Sequence, residues 1–283
     1  MSVSPLIDAS ALSAQLQQAT PGVLVVDCRY SLADPAAGRQ AYEQGHIPGA
    51  VYADLGDLLS GPVTGMNGRH PLPDPQVFAD GLAGLGASDH TTVVAYDAED
   101  SMFAARLWWL LRWIGHDNVC VLDGGLAAWT ASGGRLSTET PVHSRGHLSL
   151  RGRAMPTVTF TDVLANVEDR QRQLIDARSP DRYRGENETI DPVGGHIPGA
   201  LNRWFKENLD ADGRFKPAAR LKQEFQSLLG DTPVEHVVHQ CGSGVTACHN
   251  LLAMEIAGMK GATLYPGSWS EWCRQRDVPI ARG

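Results

Sequence analysis

His46-Ile47-Pro48-Gly49-Ala50 recurs without change as His196-Ile197-Pro198-Gly199-Ala200. Three further segments recur around this pair in the same order. Val25-Val26-Asp27-Cys28-Arg29 parallels Leu174-Ile175-Asp176-Ala177-Arg178. Val93-Val94-Ala95-Tyr96-Asp97 parallels Val237-Val238-His239-Gln240-Cys241. Leu122-Asp123-Gly124-Gly125-Leu126-Ala127-Ala128-Trp129 parallels Tyr265-Pro266-Gly267-Ser268-Trp269-Ser270-Glu271-Trp272. All four offsets are about 150 residues, too long for a solenoid repeat and right for a duplicated domain. The expected organisation is one domain over 1–136, a linker over 137–156 and a second domain over 157–283. The linker is rich in Ser, Thr, Gly and Arg and has no periodicity.

Each half alternates short apolar runs with helical patterns. Leu24-Val25-Val26, Thr92-Val93-Val94-Ala95-Tyr96, Leu174-Ile175 and His236-Val237-Val238 read as buried strands. Residues 103–114 and 247–256 read as helices, stopped by Gly115 and Gly258. Such alternation predicts an α/β fold: two tandem domains, each a mostly parallel sheet flanked by helices. Ligands on such sheets sit beyond the carboxyl ends of strands, which singles out the loops after Tyr96 and Gln240.

Composition narrows the function. The 283 residues carry a net charge of -8, and the Lys and Arg residues are dispersed, so no basic footprint marks a nucleic-acid or anionic-membrane partner. An anionic substrate must therefore be held by a local site. Five cysteines, an odd number without a CxxC pair, point to free thiols in a reducing compartment. Cys and His lack zinc-site spacing, and no metal or other cofactor is expected. Residues 1–17 show no signal-peptide pattern, and no run of about 18 apolar residues exists, which makes the cytoplasm the expected location.

The two copies differ at the loops singled out above. The C-terminal copy reads Cys241-Gly242-Ser243-Gly244-Val245-Thr246; the N-terminal copy reads Asp97-Ala98-Glu99-Asp100-Ser101-Met102. Gly242 and Gly244 permit backbone conformations that curl successive N–H groups around one atom. A helix beginning near Thr246 adds its positive end. Both favour an anionic sulfur, as thiolate or as the outer atom of a persulfide. The N-terminal loop has a carboxylate where the thiol stands and is expected to be catalytically degenerate.

Cys-Gly-Ser-Gly-Val-Thr after a buried strand, with His-Ile-Pro-Gly-Ala in both halves, resembles the tandem-domain rhodanese family, and within it the 3-mercaptopyruvate sulfurtransferases. The resemblance covers nearly the whole chain. It implies that Cys241 takes sulfur from 3-mercaptopyruvate, releases pyruvate as its enolate, and hands the sulfur to cyanide or to a thiol such as thioredoxin or a small thiol. It implies a proton relay of Ser243, His70 and Asp54, the last two on the domain without the nucleophile, which puts the site in the cleft between the halves. It implies a carboxylate site of two arginines. Arg182 matches the first; the second falls in Glu186-Asn187-Glu188-Thr189-Ile190-Asp191, which has no Arg, leaving Arg184 as a substitute. The thiosulfate branch of the family carries basic residues after the Cys. Here Gly242 and Ser243 stand there, which favours a carboxylate thiol over dianionic thiosulfate.

Plainer roles are expected elsewhere. His46 and His196 sit in a repeated turn and read as structural. Asp27 and Asp176 end strands and are expected to bind backbone or arginine. Trp108, Trp109 and Trp113 read as core, as does Cys248; Cys28, Cys120 and Cys273 read as passive. His239 and His249 flank the active loop and read as packing. Asp54 by itself is a turn residue, and Arg69-His70-Pro71 reads as extended and exposed.

Three rivals are set beside this reading. The first is thiosulfate:cyanide sulfurtransfer. The second is a cysteine phosphatase, which needs an Arg about six residues after the Cys where this chain has Ala247. The third is a non-enzymatic persulfide carrier or sensor.

Overall fold

Val23–Asp27 and Gln173–Asp176 each carry apolar residues (Val23 to Val26, Leu174 and Ile175) up to a closing aspartate, and each becomes an interior strand of a parallel sheet. The computed structural model describes residues 4–18, 20, 22–98, 100–152 and 155–283. Residues 1–3, Glu99 of the N-terminal loop and residues 153–154 of the linker lie outside them. Contacts divide the chain into two units, Met1–Gly61 with Pro73–Ala154 and Ala211–Phe215, and Pro62–Leu72 with Met155–Asp210 and Lys216–Gly283.

In the first unit β1 (Leu6–Ile7), β2 (Val23–Asp27), β3 (Val51–Tyr52), β4 (Thr92–Tyr96) and β5 (Val119–Leu122) form a parallel sheet in the order β1-β5-β4-β2-β3. In the second, β6 (Gln173–Asp176), β7 (Leu201–Asn202), β8 (Val237–Gln240) and β9 (Thr263–Leu264) follow the order β7-β6-β8-β9, also parallel. The order β9-β8-β6-β7 repeats β5-β4-β2-β3 strand for strand, as the duplication predicts. In place of β1 the second unit has a single parallel bridge, Thr157 to Leu264.

The apolar helix Met102–Trp113 buries Trp108, Trp109 and Trp113. Gly115 follows it at φ +87, a left-handed turn that suits glycine. The helix expected over 247–256 is Thr246–Ile256, starting one residue earlier, and is followed by Gly258 at φ +75. The turn histidines are structural. His46 Nδ1 bonds the Tyr42 carbonyl at 2.8 Å and its ring stacks on Tyr42 at 4.0 Å. His196 repeats both contacts with Tyr183, at 2.9 and 3.7 Å. All five cysteines are free and buried, and among the described residues no helix is long and apolar enough to cross a membrane.

The chain runs from β6 to β7 on one side, then returns to place β8 on the other. The sheet order reverses between β6 and β8, which opens a crevice beyond their carboxyl ends. Asp176 and Gln240 are paired in register there, and the next residues on each strand are Ala177-Arg178 and Cys241. The fold thus delivers the thiol and a buried guanidinium to one place.

Candidate active site

Cys241 leaves β8 and is 2% exposed. The Ser268 hydroxyl accepts from its N–H at 3.1 Å, and Trp269 N–H and Ser270 N–H donate to the carbonyls of Cys241 and Gly242 at 2.9 and 2.8 Å. Ser268 takes a left-handed φ of +54, a strained value for a residue with a side chain. Its hydroxyl explains the choice, since it also donates to the Tyr265 carbonyl at 2.9 Å. Gly244 has φ +77, and a Cβ there would stand 2.5 Å from the Pro266 carbonyl oxygen. Val245 precedes the helix, Thr246 opens it, and the Cys248 thiol donates to the Gly244 carbonyl at 3.2 Å. Cys248 thus ties the back of the loop.

Ser243 meets His70 across 173 positions of sequence: Oγ and Nδ1 share a 2.8 Å hydrogen bond. Segment Pro62–Leu72 belongs to the second unit. Gly68, at φ +84, lies so close to Gly267 that a Cβ would fall 2.7 Å from its carbonyl oxygen. Ser270 Oγ accepts from Arg69 N–H at 3.0 Å, and Gln275 Nε2 donates to the Met66 carbonyl at 3.3 Å. The expected exposure of Arg69-His70-Pro71 is therefore corrected. These contacts press the strip onto the loop that follows β9, and His70 is 5% exposed.

Arginines and carboxylates alternate around the loop. Arg178 holds Asp176 with Nε and Nη2, the shortest contact being 2.6 Å, and also bonds the Gly195 carbonyl at 2.7 Å. Arg29, Asp27 and Gly45 repeat this arrangement in the first unit, so the strand-ending aspartates are structural. Burial works against the charge on Arg178. Asp176, then Glu188 and Cys241, outweigh it and raise the guanidinium above its ordinary pKa. Arg182 directs Nε and Nη2 at Glu188, with contacts of 2.8–3.1 Å, and reaches Asp191 at 3.4 Å. Burial also opposes the charge on Glu188, but Arg182 and the N–H groups of Asp191 and Ile190 hold its carboxyl below the usual range. Arg69 Nη1 bonds Asp191 at 2.6 Å. A Cβ on Gly242 would meet Arg69 Nη2 at 3.2 Å and the Arg182 guanidinium at 3.7 Å. Both arginines therefore overlook the residue beside Cys241.

The other expected site residues lie as follows. Arg184 turns to Glu186 in a surface pair, 2.7 Å apart, with both side chains about half exposed. Asp54 belongs to the first unit, where its carboxylate accepts from the N–H groups of Gly56 and Asp57 at 2.7 and 3.2 Å and from the Tyr52 hydroxyl at 3.1 Å. His239 packs in the core with Nε2 2.9 Å from Met254 Sδ, and burial pushes its pKa down to about 3. The ring of His249 stands edge-on to Phe205. No group of three or more His, Cys, Asp or Glu among the described residues is placed to hold a metal.

The first unit shows what this loop does with an anion of its own. Leu126 N–H and Ala127 N–H donate to the carbonyls of Asp97 and Ala98, and Gly125 has φ +58, repeating the Ser268 corner. Asp97 then turns its carboxylate back into the loop, where it accepts from the N–H groups of Ser101, Phe103 and Ala104 at 2.8–3.1 Å. Burial, with help from Asp100, pushes its pKa up to about 7 against those three hydrogen bonds. The corresponding loop of the first unit thus turns three N–H groups onto a carboxylate of its own.

Sequence reasoning did not single out Arg69, whose Nη2 faces Gly242. The signal was present: an arginine adjoins the family-matched histidine, and an arginine is absent from 186–191.

The profile of the rhodanese-like domain matches residues 8–132 and 159–275. A Pseudomonas aeruginosa protein named "probable 3-mercaptopyruvate sulfurtransferase" is 46% identical over the full length of both chains. Mouse thiosulfate sulfurtransferase is 33% identical, covering 90% of this chain and 86% of its own. The crystal structure of SseA from Escherichia coli, a 3-mercaptopyruvate sulfotransferase, superposes with a TM-score of 0.80 at 31% identity, covering 94% of this chain and 99% of that one.

Proposed function

The chain belongs to the rhodanese family, and from that membership we propose a sulfurtransferase that takes sulfane sulfur from 3-mercaptopyruvate onto Cys241 and passes it to a thiol or cyanide. The Cys241 thiolate attacks the donor's sulfur. The new S–S bond forms as the C–S bond breaks, and the electron pair leaves with carbon as the enolate of pyruvate. The proton of the donor's thiol ends on the enolate carbon, which leaves an anionic persulfide on Cys241. An acceptor thiolate or cyanide then attacks the outer sulfur and restores the Cys241 thiolate. Gly242, Gly244, Val245 and Thr246 shape the loop and helix start that face both anions.

One observation carries the choice of donor: the 2.8 Å hydrogen bond between Ser243 and His70, two residues beyond the nucleophile. Breaking a C–S bond to an enolate needs a proton moved from sulfur to carbon, and a hydroxyl–imidazole pair moves protons. Thiosulfate leaves as sulfite and needs no such transfer. Thiosulfate is nevertheless the second reading, favoured by the missing arginine of 186–191 and by the likeness to the mouse enzyme. The two readings separate when kcat/KM is measured for both donors with cyanide as common acceptor. A preference for 3-mercaptopyruvate supports the proposal; a preference for thiosulfate overturns the donor and leaves Cys241 as carrier.

A further inference from the structure

We infer that Arg69 is the second arginine of the carboxylate site, a substrate-binding residue supplied from a different part of the chain than the empty stretch 186–191. The inference rests on the proposed 2-oxo carboxylate donor. Arg184, the expected substitute, is held at the surface by Glu186. Arg69 stands where a second guanidinium is needed, with Nη2 overlooking Gly242 beside Cys241.

The occupancy of the two forks is the deciding detail. A guanidinium grips a carboxylate best along one edge, with two parallel N–H bonds. Arg182 already gives its Nε and Nη2 to Glu188. Arg69 gives Asp191 only Nη1. Its Nε is buried and has no hydrogen-bond partner among the described residues. Nη2 of Arg69 faces the space over Gly242, and the Arg182 guanidinium lies within 3.7 Å of the same point, so two guanidinium groups converge on one place beside Cys241, where a carboxylate can accept from both.

The framework fits this use. The Arg69 N–H is anchored on Ser270, Gly68 is pressed against Gly267, and Asp191, whose side chain is fully buried, aims the guanidinium. The strip that brings His70 to Ser243 therefore also brings the fork to the substrate, so the proton-moving pair and the carboxylate anchor share one support.

The test uses pyruvate, a 2-oxo carboxylate without sulfur, as the binding probe on the full-length protein, followed by calorimetry. Arg69→Gln is expected to weaken pyruvate about 10–100-fold, the loss of a charge-assisted hydrogen-bonded pair. Arg69→Lys should recover part of that loss, since it keeps the charge without the fork. In turnover of 3-mercaptopyruvate, Arg69→Gln should raise KM by a similar factor while kcat changes much less. Pyruvate binding to Arg69→Gln that equals wild type overturns the inference, as does a wild-type protein that binds no pyruvate. Near-UV circular dichroism of both variants separates a lost fork from a lost fold, and Arg69→Lys that is folded yet no better than Arg69→Gln also counts against it. A wild-type protein that binds pyruvate through Arg69 but does not turn over 3-mercaptopyruvate leaves this inference standing and overturns the proposed function.

Discussion

His70 Nδ1 and Ser243 Oγ lie 2.8 Å apart, although 173 residues separate them in sequence. The imidazole arrives on a strip of the first repeat that packs with the second unit. A hydroxyl bonded to an imidazole is thereby held two residues from the thiol. Ser243→Ala and His70→Ala should each lower turnover of 3-mercaptopyruvate by roughly 10²–10⁴, the range for lost acid–base help. Turnover of thiosulfate should fall far less. Equal losses for the two donors would show that the pair shapes the loop and moves no proton.

Gly244 tests the loop itself. Its φ is +77, and a Cβ added there would stand 2.5 Å from the Pro266 carbonyl oxygen, which leaves no room for a side chain. Gly244→Ala should lower stability by roughly 1–3 kcal/mol through strain and displacement. It should also depress sulfur transfer from every donor, since Cys241 sits on the same turn. A urea midpoint near that of wild type would show that the loop relaxes more easily than its contacts suggest.

Asp97 makes a pH-dependent prediction for the first unit. Its carboxyl titrates near pH 7 in the folded chain because burial disfavours the charge, against an ordinary value of 3.8. Between these two values the folded state binds the proton more tightly than the unfolded state. The Asp97 contribution to stability therefore falls as pH rises from about 4 to about 7. Asp97→Asn cannot ionise, so its stability relative to wild type should improve over that window, by an amount on the order of 1–3 kcal/mol. Denaturant midpoints of both proteins at pH 4, 5.5 and 7.5 check it. A constant difference would mean that the three N–H donors keep Asp97 ionised throughout.

The duplication made the fold legible. Two copies of His-Ile-Pro-Gly-Ala and of a strand ending in Asp gave the register of both halves, and the apolar run of 103–114 gave a helix within one residue of Met102–Trp113. Cys241 was legible because it stands in a glycine-rich loop after a buried strand, where the other copy has Asp97 among acidic residues. What stayed hidden was tertiary. Arg69-His70-Pro71 has no apolar residue except the proline, so local pattern makes it an exposed strip. Its burial comes from Gly68 meeting Gly267, a backbone contact about 200 residues away that periodicity does not encode. The capture of Arg184 by Glu186 and the placing of Arg69 Nη2 over Gly242 were hidden for the same reason: both depend on which carboxylate each guanidinium reaches. In the first unit the N–H groups of Ser101, Phe103 and Ala104 hold the carboxylate of Asp97, a contact the spacing of the loop does not encode.

Everything proposed for this site depends on Cys241 carrying the sulfur. Intact-protein mass spectrometry after incubation with 3-mercaptopyruvate and no acceptor tests it most directly. Wild type should gain the mass of one sulfur atom, located on Cys241 by peptide mapping and removed by cyanide. Cys248→Ser should load in the same way, and Cys241→Ser should not load at all. Sulfur retained by Cys241→Ser, or mapped to another cysteine in wild type, would show that Cys241 is not the carrier.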